Sequence, residues 1–187
     1  MPRSTDTRSK MVTSAALLLR EDGVAGTGFR DVVAHSGTPR GSIGHHFPGG
    51  KRQLVAEAVR WAGDLSSRSM RAKADTPAEI VALILGLYRR ALFDTGFAAG
   101  CPVGAVAQEA YDDPELRAAV REVFDDWREV LRESLARAGR SPEEAAELAD
   151  MAIASMQGAI MLSRVDGDTA ALDRVERQLL RLVAPDQ

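Results

Sequence analysis

Apolar residues in this chain recur at helical spacing and nowhere alternate in the period-two pattern of a half-buried strand. That property excludes a sheet, and the remaining question is where each helix starts and stops. Ala, Leu, Arg and Glu dominate, all of them good helix formers. Aromatic residues make up only 5%, and glycine and proline fall between the periodic stretches, where they punctuate helices. The expected fold class is all-α, with about nine helices. There is no internal repeat and no low-complexity tract.

The spacing predicts a first helix over 5–21. Met11, Ala15 and Leu18 share one face, with Val12, Ala16 and Leu19 beside them, and Gly23 ends it as a left-handed cap. A second, short helix covers 30–36, with Val32 and Val33 inward and Gly37 closing it. A third opens at Pro39, a residue suited to a first helical turn, and stops at His46 before Pro48. A fourth follows Gly49 and Gly50 and runs to about residue 69, carrying Leu54, Val55, Ala58, Val59 and Trp61. Beyond it, helices are expected over 77–95, 102–111, 114–138, 142–164 and 169–183. Ser141, Pro142 and Glu144 form a capping box at the start of the fourth of these.

At 187 residues the chain can bury roughly 70% of its unfolded surface, enough for one or two cores. One cysteine, Cys101, excludes an internal disulfide framework and a multi-cysteine metal site. No apolar run approaches the length of a membrane span. The polar first ten residues lack a signal-peptide core, so the cytoplasm is the expected compartment. The net charge of −3 is unevenly spread. Residues 1–60 carry nine Lys/Arg against five Asp/Glu, and all three histidines, whereas the remainder is acidic by seven charges. A basic head on an acidic body points to a polyanionic partner for the head alone.

Residues 24–54 give that partner a shape. Two short helices meet at Ser36, Gly37 and Thr38, where glycine allows the positive φ of a tight helix-turn-helix corner. In such a pair the second helix lies in the major groove. Its buried face is expected to be Ile43 and Phe47, and its exposed face Thr38, Arg40, Ser42, Gly44 and His45. Arg40 suits guanine or phosphate, and the hydroxyls of Thr38 and Ser42 suit phosphate. Lys51 opens the next helix, where free backbone N–H groups would hold another phosphate. Arg30, Pro39 and His46 complete the candidate DNA-binding set.

These residues resemble the N-terminal helix-turn-helix of TetR-type transcriptional repressors. Gly37, Gly41, Ser42, Ile43, His46, Phe47 and Lys51 match that family's pattern position by position. The stretch 36–54 and the string GCPVGAVAQE over 100–109 look like its LmrA/YxaF-like branch. One departure stands out. Gly44 occupies the place of the usual Tyr, which contacts the DNA backbone in family members, and glycine there also costs about 1 kcal/mol of helix propensity.

The resemblance implies a helix-turn-helix domain over 1–50 and a helical ligand-binding and dimerisation domain over 51–187. It implies a double-stranded operator, a small-molecule effector, no cofactor and no enzymatic activity. The pocket would lie among the central helices, where Leu83, Leu87, Tyr88, Phe93, Phe97, Cys101, Val106, Trp127, Met156, Gln157 and Met161 suit a flat, mostly apolar ligand. Homodimerisation would use the last two helices, through Leu148, Met151, Ala152, Ser155, Met156 and Ala159 on one and Leu172, Val175, Leu179 and Leu182 on the other. The same stripes could instead face the protomer's own core. Ligand binding would then favour a body conformation that moves the heads off adjacent major grooves.

Other chemistries lack their residues. His45 and His46 point about 100° apart on a helix with no supporting carboxylate or thiolate, so no metal site is expected. Gly49, Gly50 and Lys51 lack the spacing of a phosphate loop, which would need Gly at 45 and Ser or Thr at 52, where His45 and Arg52 stand. No histidine follows His46, so the body cannot supply the Glu-x-x-His pairs of a di-iron bundle or a base for Cys101. A helical protein-interaction module without sequence-specific DNA binding remains the alternative from another class.

Overall fold

The computed structural model describes residues 3–184. Among them every regular element is helical: α1 (Arg3–Gly26), α2 (Phe29–Ser36), a 3₁₀ turn (Arg40–Ser42), α3 (Ile43–His46), α4 (Gly50–Lys73), α5 (Pro77–Asp94), α6 (Pro102–Glu109), α7 (Pro114–Arg137), α8 (Pro142–Asp166) and α9 (Ala170–Leu182). The all-α expectation and the count of nine α-helices hold for these residues.

Most boundaries follow from local chemistry. Gly37 closes α2 at φ 64°, ψ 24° and donates to the Val33 carbonyl. Ser141 and Glu144 form the expected capping box, with the Ser141 N–H donating to the Glu144 carboxylate at 3.0 Å. The Ser141 hydroxyl donates to the same carboxylate at 2.8 Å, and that bond, with the N–H, holds the Glu144 carboxyl below its ordinary range. Thr76 and Glu79 make an equivalent box at the start of α5.

Three boundaries depart from the periodicity. Gly23 does break α1, at φ 68° and ψ −171°, but three further residues continue helically beyond it. The third helix does not start at Pro39. That residue is extended at ψ 130°, and the chain then makes a 3₁₀ turn and a single α-turn. Gly41 and Gly44 leave too little helix preference for more. Helix α4 runs four residues beyond the expected end, to Lys73.

The chain packs as two compact units. One contains the residues up to Asp64 together with Pro102–Val123. Its interior holds Met11, Ala15, Leu19, Val32, Phe47, Leu54, Val55, Val59, Val103 and Val106. The most extensive packing within it is α6 on α1. Gly63 is closely backed by Val123 and has no room for a side chain.

The other unit contains Leu65–Cys101 and the residues from Phe124 onward. Its interior holds Ile80, Leu85, Leu92, Leu131, Leu135, Ala152, Ala159 and Leu172. Arg89 of α5 reaches Asp173 at 2.9 Å and Glu176 at 2.6 Å on α9. Arg71 pairs with Asp126 at 2.8 Å, which holds that carboxyl below its ordinary range.

Candidate functional site

In the first unit, the candidate DNA-reading element is built from a corner and two buried anchors. Thr38 follows the left-handed Gly37, and its hydroxyl lies 2.7 Å from that of Ser36. The Ser42 hydroxyl donates to the Pro39 carbonyl at 2.6 Å, securing the 3₁₀ turn from within. Ile43 and Phe47 are buried, Phe47 to 1% exposure, and the Arg8 guanidinium covers the Phe47 ring at 5.2 Å. With those anchors inward, Pro39, Arg40, Gly41, Gly44 and His45 are exposed, and Thr38, Ser42 and His46 are half-buried. Arg30 is almost fully exposed near Asp31. The corner therefore presents a guanidinium and an imidazole among small residues, a surface suited to phosphates and base edges.

Lys51 is half-buried, and its Nζ donates to the Ala25 carbonyl at 3.5 Å, so it stays beside the α1–α2 connection. Open space surrounds Gly44, and a side chain there would meet no neighbour. The rings of His45 and His46 are 5.5 Å apart and edge-on. Among the described residues no cluster of His, Cys, Asp and Glu is arranged to hold a metal ion.

Sequence periodicity did not find Glu109 at the end of α6. Its carboxylate accepts the backbone N–H of Val24 at 3.0 Å and of Ala25 at 3.1 Å. Nearby, Asp113 pairs with Arg52 at 2.8 Å, and Glu122 accepts from Arg60 at 2.6 and 3.2 Å. The Arg60 contact holds the Glu122 carboxyl below its ordinary range.

The second unit contains an apolar cavity of about 30 Å³ lined by Ser66, Met70, Ile84, Tyr88, Trp127, Leu131, Ile153, Met156 and Gln157. Four candidates read from the sequence meet there: Tyr88, Trp127, Met156 and Gln157. Cys101 is buried and lies one step behind the wall, accepting from Gln157 Nε2 at 3.3 Å. Leu83 and Phe97 are half-buried and line no part of the cavity. Leu87, Phe93 and Met161 are exposed at 45%, 60% and 53%. Val106 is fully buried, but in the first unit. Of the lining residues that were not anticipated, Leu131 lies one turn from Trp127 and Ile153 one turn from Met156, so helical spacing could have found both.

Comparison with known proteins agrees with this geometry. Residues 12–58 match the family model for bacterial regulatory proteins of the tetR family. Residues 77–178 match the model for the C-terminal domain of LmrA/YxaF-like transcriptional regulators. An HTH-type transcriptional regulator of Mycobacterium tuberculosis is 42% identical over 182 residues, covering 94% of this chain and 93% of its own. The HTH-type regulators YxaF and LmrA of Bacillus subtilis are 33% and 35% identical, over 95% and 84% of this chain and 95% and 86% of their own. A TetR transcriptional regulator from Chloroflexus aurantiacus superposes with a TM-score of 0.77 at 29% identity, covering 97% of this chain and 96% of that one. All of these relatives are named as transcriptional regulators, and no helix among the described residues is long and apolar enough to cross a membrane. The corner at Gly37, the matches to both family models and the near full-length similarity to LmrA and YxaF make this chain a TetR-family DNA-binding transcriptional regulator of the LmrA/YxaF-like branch.

Proposed function

We propose that this regulator is a homodimeric repressor, working in the cytoplasm, which a small, largely apolar or aromatic ligand releases from its operator. Residues 1–50 read DNA, through Arg30, Thr38, Pro39, Arg40, Ser42, Gly44, His45, His46 and Lys51. Residues 51–187 bind the effector and the second copy.

The observation that carries the reading is the cavity around Trp127 and Tyr88. The polar groups its lining residues carry are the Ser66 hydroxyl, the Tyr88 phenol, the Trp127 indole N–H and the Gln157 amide; the rest are apolar. That is the lining of a site for an uncharged ligand fixed by a few polar contacts. Its size is equally informative. A volume of about 30 Å³ is enough for a water or two but small against the roughly 300 Å³ or more of an occupied ligand site. A ligand must therefore select an opened form of this unit, and that difference in affinity is what a population shift requires. The Ser134 hydroxyl, one turn beyond Leu131 on α7, is buried and has no hydrogen-bond partner among the described residues. An opened cavity offers it one.

Dimerisation is supported by α8. Met151, Ala154, Met161 and Val165 are exposed, and Gly158 half-exposed, at alternating three- and four-residue steps, with exposed Leu162 alongside. That is the spacing of a helix-pairing seam. Of the residues first assigned to the interface, Ala152, Met156, Ala159, Leu172 and Leu179 are buried within the protomer. The proposed contact therefore uses the neighbouring face of α8, with Leu182 exposed on α9.

Fluorescence anisotropy tests the reading on DNA from upstream of the chain's own coding region, against scrambled DNA, across a salt series. The expected result is specific binding at least ~10³ tighter than nonspecific, with a steep negative salt slope. Aromatic compounds screened on that complex should include some that release it. Specific binding that no compound weakens overturns the effector-released repressor.

A further inference from the structure

We propose that Glu109 is a positioning residue for DNA reading: its carboxylate fixes the turn through which α1 hands over to α2, and so sets the angle at which the reading corner is presented. The inference rests on the dimeric reading above, because an angle matters only when two corners must fit two grooves at once.

Three observations meet at this point. Glu109 accepts two consecutive backbone N–H groups, Val24 at 3.0 Å and Ala25 at 3.1 Å. These belong to the first residues after the break at Gly23, so the carboxylate replaces the helical partners that the break removes. A hydrogen bond to an ionised acceptor is stronger than one between neutral groups, and two from a single carboxylate fix direction as well as distance.

Gly23 is shaped around the same contact. Its φ of 68° is a conformation that side chains disfavour. The place where its Cβ would stand is taken by Glu109 Oε1. Backbone freedom and clearance are thus both used to bring one carboxylate against one turn.

The third observation is the way the unit is assembled. Helix α6 packs with the reading corner's unit although nearly forty residues of the other unit separate them in sequence. Cys101, directly before α6, is hydrogen-bonded by Gln157 of the cavity wall. The helix that ends at Glu109 therefore begins next to a residue whose environment an effector would change.

A contact that only stabilised the head would alter binding to every DNA alike. A contact that sets the angle alters the discrimination between half-site spacings, and that ratio is the readout. The wild-type chain is used to select its operator from random DNA. Affinities are then measured on that operator and on the same operator with one base pair inserted at its centre, which shifts and rotates one half-site relative to the other. Wild-type protein should strongly prefer the selected spacing. Glu109→Ala should reduce that preference roughly tenfold, and Glu109→Gln, which keeps a neutral acceptor, by less. Circular dichroism melts of both variants identify any loss of fold. Gly23→Ala should mimic Glu109→Ala, and adding it to Glu109→Ala should leave the ratio unchanged, because both act on one contact.

If the wild type respects spacing and both Glu109 variants respect it equally, the inference is overturned while the dimeric reading stands. A wild type indifferent to spacing overturns the dimeric reading, and the inference with it.

Discussion

Between Pro39 and Phe47 the chain makes a 3₁₀ turn and one α-turn containing two glycines. Between Pro142 and Asp166 it makes 25 uninterrupted helical residues, boxed at one end by Ser141 and Glu144 and closed at the other by a left-handed Gly167. The long helix has its start and stop written into its own ends. The short one has almost no preference of its own, since isolated helices of that length are unstable in water. Its order comes from Ile43 and Phe47, which sit in the core of the first unit. The part proposed to meet DNA is therefore held from behind, and its front is left to small and cationic residues. Changes behind it should act on folding and binding together, and truncation of the cationic side chains in front on binding alone.

Phe47→Ala gives the largest expected effect. Removing a ring that is 1% exposed should cost roughly 3–5 kcal/mol, and it also removes the platform under Arg8. Operator binding should disappear with the loss of stability. Ser141→Ala, which deletes a cap on α8, should cost only about 0.5–2 kcal/mol and leave operator affinity unchanged. Denaturant titrations and anisotropy on the two variants compare the regions directly. A Phe47→Ala protein that still binds its operator tightly would break the contrast.

Arg40→Ala comes next and acts from the front. Arg40 is exposed, so stability should hardly change. Affinity should fall by about 1–3 kcal/mol with relaxed sequence preference if the guanidinium reads a base, or the salt slope should drop by about one if it neutralises a phosphate. Binding that is unchanged at every salt concentration removes Arg40 from the interface.

How much of this was legible beforehand follows the same division. The ends of α2 and α8 could be read from Gly37 and Ser141, because caps are local. The helix-turn-helix corner could be read because glycine at Gly37 and the spacing of Ile43 and Phe47 are local too. The cavity could be read only in part. Periodicity places Leu87, Tyr88 and Met161 on helices, but not which helix face meets a neighbour. Tyr88 lines the cavity while Leu87, the adjacent residue, is exposed. Val106 shared the apolar character of the pocket candidates, yet α6 packs on α1. Glu109 ends the family-like stretch 100–109, but its partners were invisible for a related reason. A carboxylate that accepts N–H groups 84 and 85 residues away leaves no short-range trace in sequence.

Gly44 offers a gain rather than a loss. The residue is exposed, its φ is not positive, and a Cβ there meets nothing. Gly44→Ala should therefore stabilise α3 by up to about 1 kcal/mol, raising Tm by roughly 2–4 °C in a chain of this size. Gly44→Tyr fills the position as the family usually does, and should tighten operator binding roughly two- to tenfold through a phosphate contact. Tighter binding from Tyr but not from Ala would separate that contact from simple helix stabilisation. No gain from either would mean that neighbouring residues already supply what Tyr supplies elsewhere.

The smallest effect expected is with acid. Among the described residues four carboxyls are held below their ordinary range: Glu79, Asp126 and Glu144 in the second unit and Glu122 in the first. Asp126 is depressed chiefly by its hydrogen bond from Arg71, and Glu79 by the backbone N–H groups of Asp75 and Thr76. A carboxyl with a depressed folded pKa binds fewer protons in the native state than when unfolded. Its contribution is complete above the unfolded value, about 4, and is lost as pH falls through the lower folded value. The second unit should therefore soften first below about pH 4. The margin is small, because exposed pairs such as Arg71–Asp126 are worth only roughly 0.2–1 kcal/mol. Each unit carries its own reporter, Trp61 in the first and Trp127 in the second. With Trp61→Phe and Trp127→Phe proteins titrated separately, the Trp127 emission should change at the higher pH, and Asp126→Asn should narrow the gap. Coincident transitions would show that acid does not distinguish the two units, leaving their contrast to the residues that face DNA.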